Sequence, residues 1–129
     1  MSHEAASHTR YWVANSVAAL VILVILGVHM GLIHLDGLLA LLNPAWADAL
    51  AWPNVVARGS SGWFTATYIL LVASALFHGL YGLYNMLTEI WTSPRAAARL
   101  ATGCWICGLV LFAVGTTATL MFYFQVAGS

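Results

Sequence analysis

The sequence predicts an all-α integral membrane protein of three transmembrane helices, with a cytoplasmic N-terminus and a C-terminus outside. Three observations carry this expectation. Of 129 residues, 62% are hydrophobic and only 6% charged, against about 25% charged in an ordinary soluble domain. Three runs, residues 11–35, 64–91 and 101–126, exceed the roughly 20 predominantly apolar residues needed to cross the hydrocarbon. The chain contains no lysine, and three of its four arginines fall on one side: Arg10 precedes the first run, Arg95 and Arg99 link the second to the third, and Arg58 alone occupies the other loop. Basic residues favour the cytoplasmic side, which sets the orientation.

Each element follows in order. The head from Met1 to Arg10 is short and of mixed charge, and no small-residue cleavage site ends the first apolar run, so this run is expected to stay as a span. Tyr11 and Trp12 stand at its start, where amphipathic rings favour the membrane interface. In LLALLNPAWADALAW, Asn43 before Pro44 reads as a helix start, which predicts a short interfacial helix over 44–51 with Trp46, Leu50 and Trp52 against the membrane surface. ARGSSGW reads as a flexible turn into the second span, bracketed by Trp63 and Trp91. SPRAAARL joins the second and third spans, with Pro94 read as a breaker. Trp105 and Phe122 to Phe124 lie near the ends of the third. Spans joined so tightly should pack as antiparallel neighbours, giving one membrane-anchor domain over 1–129 built as a three-helix bundle.

Composition also removes function classes. A formal net charge of zero offers no basic patch for nucleic acid. The chain carries no phosphate loop, HExxH motif or Ser-His-Asp arrangement, hence no visible machinery for phosphoryl transfer or hydrolysis.

Polar side chains inside a span need a partner or a purpose, since a charged one costs about 2.5–3.5 kcal/mol on insertion scales. His78 lies near the middle of the second span. Its helical face includes Thr67, Leu71, Ser74, Gly82, Asn85 and Glu89. Gly82, one turn on, leaves room for a flat macrocycle or a close neighbouring helix. His78 reads first as an axial ligand of a metal porphyrin, with a histidine hydrogen-bonded to another helix, a proton relay or a bacteriochlorophyll ligand as the alternatives. His29, in GVHMGLIH, carries the same two readings. His34 lies about 140° around the helix from it and two residues from Asp36, and reads as interfacial. With Arg10 and Glu89 taken to mark one interface, His29 lies ~28 Å deep and His78 ~16 Å deep, a difference of ~12 Å at 1.5 Å per residue. The two cannot share one metal, but the spacing suits two porphyrins stacked across the membrane.

His78, Gly82, Leu87, Thr88 and Glu89, in HGLYGLYNMLTEI, resemble the second helix of the small cytochrome b anchor (D-type) subunit of succinate dehydrogenase and fumarate reductase, respiratory complex II. In that family a glycine follows the haem-ligating histidine by four residues and an acid by eleven. The motif covers about fourteen residues here, and the three-span topology extends the resemblance over the whole chain. GVHM at His29 is similar to the first-helix haem ligand of the two-haem members. The resemblance implies haem b, His78 and His29 as axial ligands of the haem iron, and Ser74 and Gly82 facing the macrocycle. The implied partners are a flavoprotein subunit, an iron-sulfur subunit, a second cytochrome b anchor subunit, quinone and membrane lipid, in a bacterial or archaeal cytoplasmic membrane. The chain would then be a subunit of an oxidoreductase, without catalysis by itself.

One departure concerns quinone. Where single-haem relatives have Asp-Tyr, this chain has Glu89-Ile90, and the tyrosine donor is missing; Trp91 has an indole donor one position later. Glu89 reads either as proton delivery near quinone or as a solvated carboxylate. Cys104 and Cys107 form a lone C-x-x-C lacking two further ligands for a tetrahedral metal. Cys104, Gly108, Gly115 and Thr119 read instead as a small-residue packing stripe. Two other classes stay open: a pigment-binding or cytochrome subunit of another complex, and a non-redox anchor or transporter subunit with structural histidines.

Overall fold

The computed structural model describes residues 3–44 and 48–128. Among these, five helices follow one another and no strand occurs: α1 (His3–His34), α2 (Asp36–Leu39), α3 (Trp52–Gly59), α4 (Gly62–Ile90) and α5 (Pro94–Ala127). Residues Thr9–His34 of α1, together with α4 and α5, are long and apolar enough to cross a membrane, so the chain is a multi-pass helical membrane protein. At 1.5 Å per residue, the 34 residues of α5 reach ~51 Å. The hydrocarbon is about 30 Å thick, so α5 projects well into the headgroup layers.

Two boundaries differ from those read in the sequence, and both concern proline. Pro94 starts α5 rather than breaking a link. Ser93 caps that helix by accepting a hydrogen bond from the Ala96 N–H at 3.2 Å, and proline at the first helical position sacrifices only an amide that has no intrahelical partner. The connection between α4 and α5 therefore shrinks to Trp91–Ser93, and AAARL is helical. In the other loop, residues 48–51 form a turn and a helix lies at Trp52–Gly59 with Pro53 in its first turn; residues 45–47 of the expected 44–51 helix lie outside the described residues. Trp46 lies outside the described residues. ARG, expected to be a flexible turn, closes α3.

The side chains of α3 hold the turn before it. Arg58 donates to the Ala49 carbonyl at 2.5 Å, and Asn54 donates to the Asp48 carbonyl at 2.9 Å. Asp48 adopts a left-handed φ of 57°, a region in which a short polar side chain is tolerated. Gly59 is buried beneath the Phe122 ring, and Trp52 meets the same ring edge-on at a centroid distance of 6.5 Å. Phe122 thus docks α3 against the C-terminal end of α5.

The three long helices form a row, not a closed bundle. α4 packs against α1 on one side and α5 on the other, while α1 and α5 make no close backbone approach among the described residues. The α4–α5 contact uses the small-residue stripe read in the sequence: a Cβ on Gly108 would lie 2.8 Å from Leu80 Cδ1, and one on Gly115 would lie 3.3 Å from Val72 Cγ1. On the α1–α4 side, Tyr11 stacks with Tyr81 at 6.4 Å. Among the described residues only Ala18, Ala49, Thr65 and Ser74, besides Gly59, are buried. Leu20, Leu23, Val24 and Val28 of α1 face outward. Such a row has little interior of its own and relies on an apolar surrounding to cover its faces.

Candidate functional site

The seam between α1 and α4 collects the polar groups of the two helices. Its α1 face runs through Asn15, Ala18, Ile22, Ile25 and His29, all buried or half-buried, at alternating three- and four-residue intervals. Its α4 face includes Tyr68, Ser74, His78 and Tyr81.

His78 is half-buried on this seam. Its Nδ1 lies 3.4 Å from the backbone carbonyl oxygen of Asn15, a long contact whose donor depends on the tautomer. If Nδ1 carries the proton, Nε2 keeps its lone pair. A backbone carbonyl that accepts from one ring nitrogen is what orients a metal-ligating imidazole. One turn on, a Cβ at Gly82 would meet no atom within 4 Å, nor would one at Gly79. The surface beside the imidazole is therefore open, and Gly82 is not used to admit another helix of this chain. An imidazole with one nitrogen turned to a carbonyl and free surface alongside fits the single protein ligand that one chain supplies to a haem.

His29 is also half-buried, and its ring meets Tyr68 edge-on at 5.9 Å between centroids. Tyr68 and His78 are ten residues apart on α4, and Asn15 and His29 fourteen apart on α1. By helical rise, the two histidine levels are separated by ~15–21 Å, more than the ~12 Å read from span ends. They occupy one seam at different levels and do not come together.

The other expected residues separate. Ser74 is 8% exposed, buried within the chain's own packing. Ala18, equally buried, lies at the same level in the antiparallel register set by Asn15 and His78, so two small residues bring the helices close there. Thr88 donates to the Asn85 and Tyr84 carbonyls of its own helix at 2.9 and 3.0 Å, the usual way a threonine hydroxyl is satisfied in mid-helix. Glu89 is exposed at the end of α4. Trp91, 52% exposed, follows it and turns into a groove between α4 and α5. His34 is exposed.

Cys104 is half-buried and Cys107 exposed, both as free thiols. Among the described residues, no three His, Cys, Asp or Glu side chains stand together as a metal site. A metal held at His78 or His29 would need a porphyrin or another chain to complete its ligands.

Two features were not singled out in the sequence. Asn15 supplies the carbonyl facing His78, and its own side-chain oxygen is buried without a hydrogen-bond partner; a lone asparagine in an apolar span was the available signal. Phe77, Tyr81 and Tyr11 form a continuous stack, with Phe77 and Tyr81 6.1 Å apart. This stack, with Tyr84 and Trp105, lines an apolar cleft of about 320 Å³ between α1, α4 and α5. The spacing of 77, 81 and 84 on one helical face marked the α4 part of it. Compared with known proteins, the chain matches no family model, no curated sequence and no solved structure.

Proposed function

We propose that this protein is a haem b-binding membrane anchor subunit of a succinate:quinone oxidoreductase, passing electrons from an iron-sulfur subunit to quinone. The observation that carries the reading is His78. It lies in a stretch resembling the family's second helix, with Nδ1 at 3.4 Å from the Asn15 carbonyl and open surface at Gly82. His78 would be an axial ligand through Nε2, and the Asn15 carbonyl would hold the ring in the required tautomer. His29, at the other level of the seam, would serve a second haem.

Haem b supplies one-electron transfer across the membrane. The chain's own residues would position it: Ala18 and Ser74 bring the helices together between the two imidazoles, and the aliphatic side chains of the seam would limit the access of water. Glu89, exposed at the end of α4, would exchange protons there, where quinone would be reduced. A second anchor subunit would supply the opposite ligands, and flavin and iron-sulfur cofactors would belong to further subunits. The arginine distribution supports a cytoplasmic face at the α4–α5 turn.

The test is the reduced-minus-oxidised spectrum and haem content of the purified complex. His78→Ala should lose haem, and His29→Ala should lose one of two haem potentials. Wild-type haem content in His78→Ala would overturn the ligand assignment.

A second reading is favoured by a specific observation: both imidazoles already contact their own chain, at Asn15 and Tyr68. On that reading the histidines are structural and the protein is a non-redox anchor. An intact complex without any chromophore, in which His78→Ala lowers only stability, would establish it.

A further inference from the structure

We propose that the groove between the end of α4 and the start of α5 is a binding site for one anionic phospholipid, with its phosphate at Arg95 and Arg99. The groove is about 740 Å³ and includes both polar and apolar walls. Arg95, Arg99, Gly103 and Cys107 lie along it at four-residue intervals, on one face of α5. The two guanidiniums head this line near the start of α5, and the two small residues continue it past Arg99 toward the hydrocarbon for ~12 Å. A Cβ at Gly103 would meet nothing within 4 Å, so this line is an open channel floor. Leu80 and Leu83 of α4 form the facing wall, and Trp91 stands at the mouth. The shape is that of an amphiphile with a charged head and an apolar tail.

Charge decides which amphiphile. Arg95 and Arg99 lie in the first turns of α5, whose first turn contains no acidic residue, and cations there oppose the positive end of the helix dipole. Among the described residues neither arginine makes an ion pair or a side-chain hydrogen bond, and Glu89 makes none with them. The start of α5 thus concentrates positive charge that has no counterion among the described residues. A phosphodiester meets two guanidiniums by charge-assisted hydrogen bonds, and basic recesses between spans recognise such headgroups. A zwitterionic lipid brings its own cation into the cluster, and a free phosphate leaves the apolar channel uncovered. The site is separate from the α1–α4 seam and does not depend on haem.

The experiment uses the full-length protein, with whatever subunits accompany it, reconstituted in nanodiscs of phosphatidylcholine alone or mixed with phosphatidylglycerol. Native mass spectrometry reads the lipids that stay bound. Wild type should retain phosphatidylglycerol preferentially. Arg95→Gln with Arg99→Gln should lower that preference roughly thirtyfold, and either change alone roughly fivefold. Gly103→Leu should weaken retention by filling the channel, with both arginines intact. Arg10→Gln should leave it unchanged. Unaltered retention in the double variant overturns the site. So does an equal loss in Arg10→Gln, which would show diffuse surface attraction, or displacement by inorganic phosphate, which would show an anion site without a lipid. Circular dichroism of each variant distinguishes lost binding from lost fold; a double variant that fails to fold is replaced by Arg95→Lys with Arg99→Lys. That lysine pair should keep a partial preference, and full loss of preference in it would overturn a charge-based site.

Discussion

His78 Nδ1 faces the main-chain carbonyl of Asn15 at 3.4 Å, so the partner of this imidazole belongs to the backbone of α1 and not to a side chain. The Asn15 amide oxygen beside it is buried and unpaired. The backbone acceptor survives any side-chain change at position 15, and an unsatisfied buried polar atom costs about 1–3 kcal/mol. Asn15→Ala should therefore leave haem content at the wild-type level, with a thermal midpoint in detergent equal to or above wild type. A fall in haem content would assign the side chain a role in holding the ring.

Gly82 separates the fold from the proposed ligand. Its Cβ direction is empty in this chain, and replacing a mid-helix glycine by leucine favours the helix by about 0.5–1 kcal/mol. Gly82→Leu should preserve the helical circular dichroism signal while haem content of the purified complex drops severalfold. Full haem content in that variant would show that no macrocycle lies against this face.

The α4–α5 contact behaves differently. Gly115 has Val72 Cγ1 at 3.3 Å from a built Cβ, whereas Gly31 on α1 has nothing within 4 Å. Overpacking of a close contact costs about 1–3 kcal/mol, and a β-branched neighbour has few rotamers with which to yield. Gly115→Leu should lower the thermal midpoint measurably, and Gly31→Leu should not. Equal midpoints would mean the two helices separate more easily than their contact suggests.

Phe122 and Gly59 make a prediction about the loop. Arg58 is the sole tryptic site between α1 and α4, and it is held by the Ala49 carbonyl while Phe122 covers the adjacent Gly59. Phe122→Ala should undock α3 and speed tryptic cleavage after Arg58. An unchanged cleavage rate would show that the Arg58 bond alone secures the loop.

Orientation is testable without purification. The arginine distribution predicts that alkaline phosphatase fused after Gly128 is active and that a fluorescent protein at the same point is dark. The reverse pattern would put the α4–α5 turn, with Arg95 and Arg99, on the outer side.

Three spans were legible in the sequence because length and hydropathy are local properties, and a run of over twenty apolar residues has few fates other than crossing a bilayer. His29 and His78 were legible for the same reason: a polar group in such a run stands out. The arrangement of the helices was not. Hydrocarbon is as apolar as a helix interface, so apart from Asn15 and His29 the residues of α1 do not tell its lipid face from its α4 face. The antiparallel hairpin of the second and third spans was expected, but not that its turn is confined to 91–93, because Pro94 can end one helix or open the next, and Ser93 as a cap decides which. Length and hydropathy alone put this chain in a membrane and its buried polar residues at their depths along each span. Packing makes α4 the middle of a row, buries Ser74 and turns His78 to Asn15. Those outcomes depend on contacts between residues distant in the chain, which no local pattern encodes.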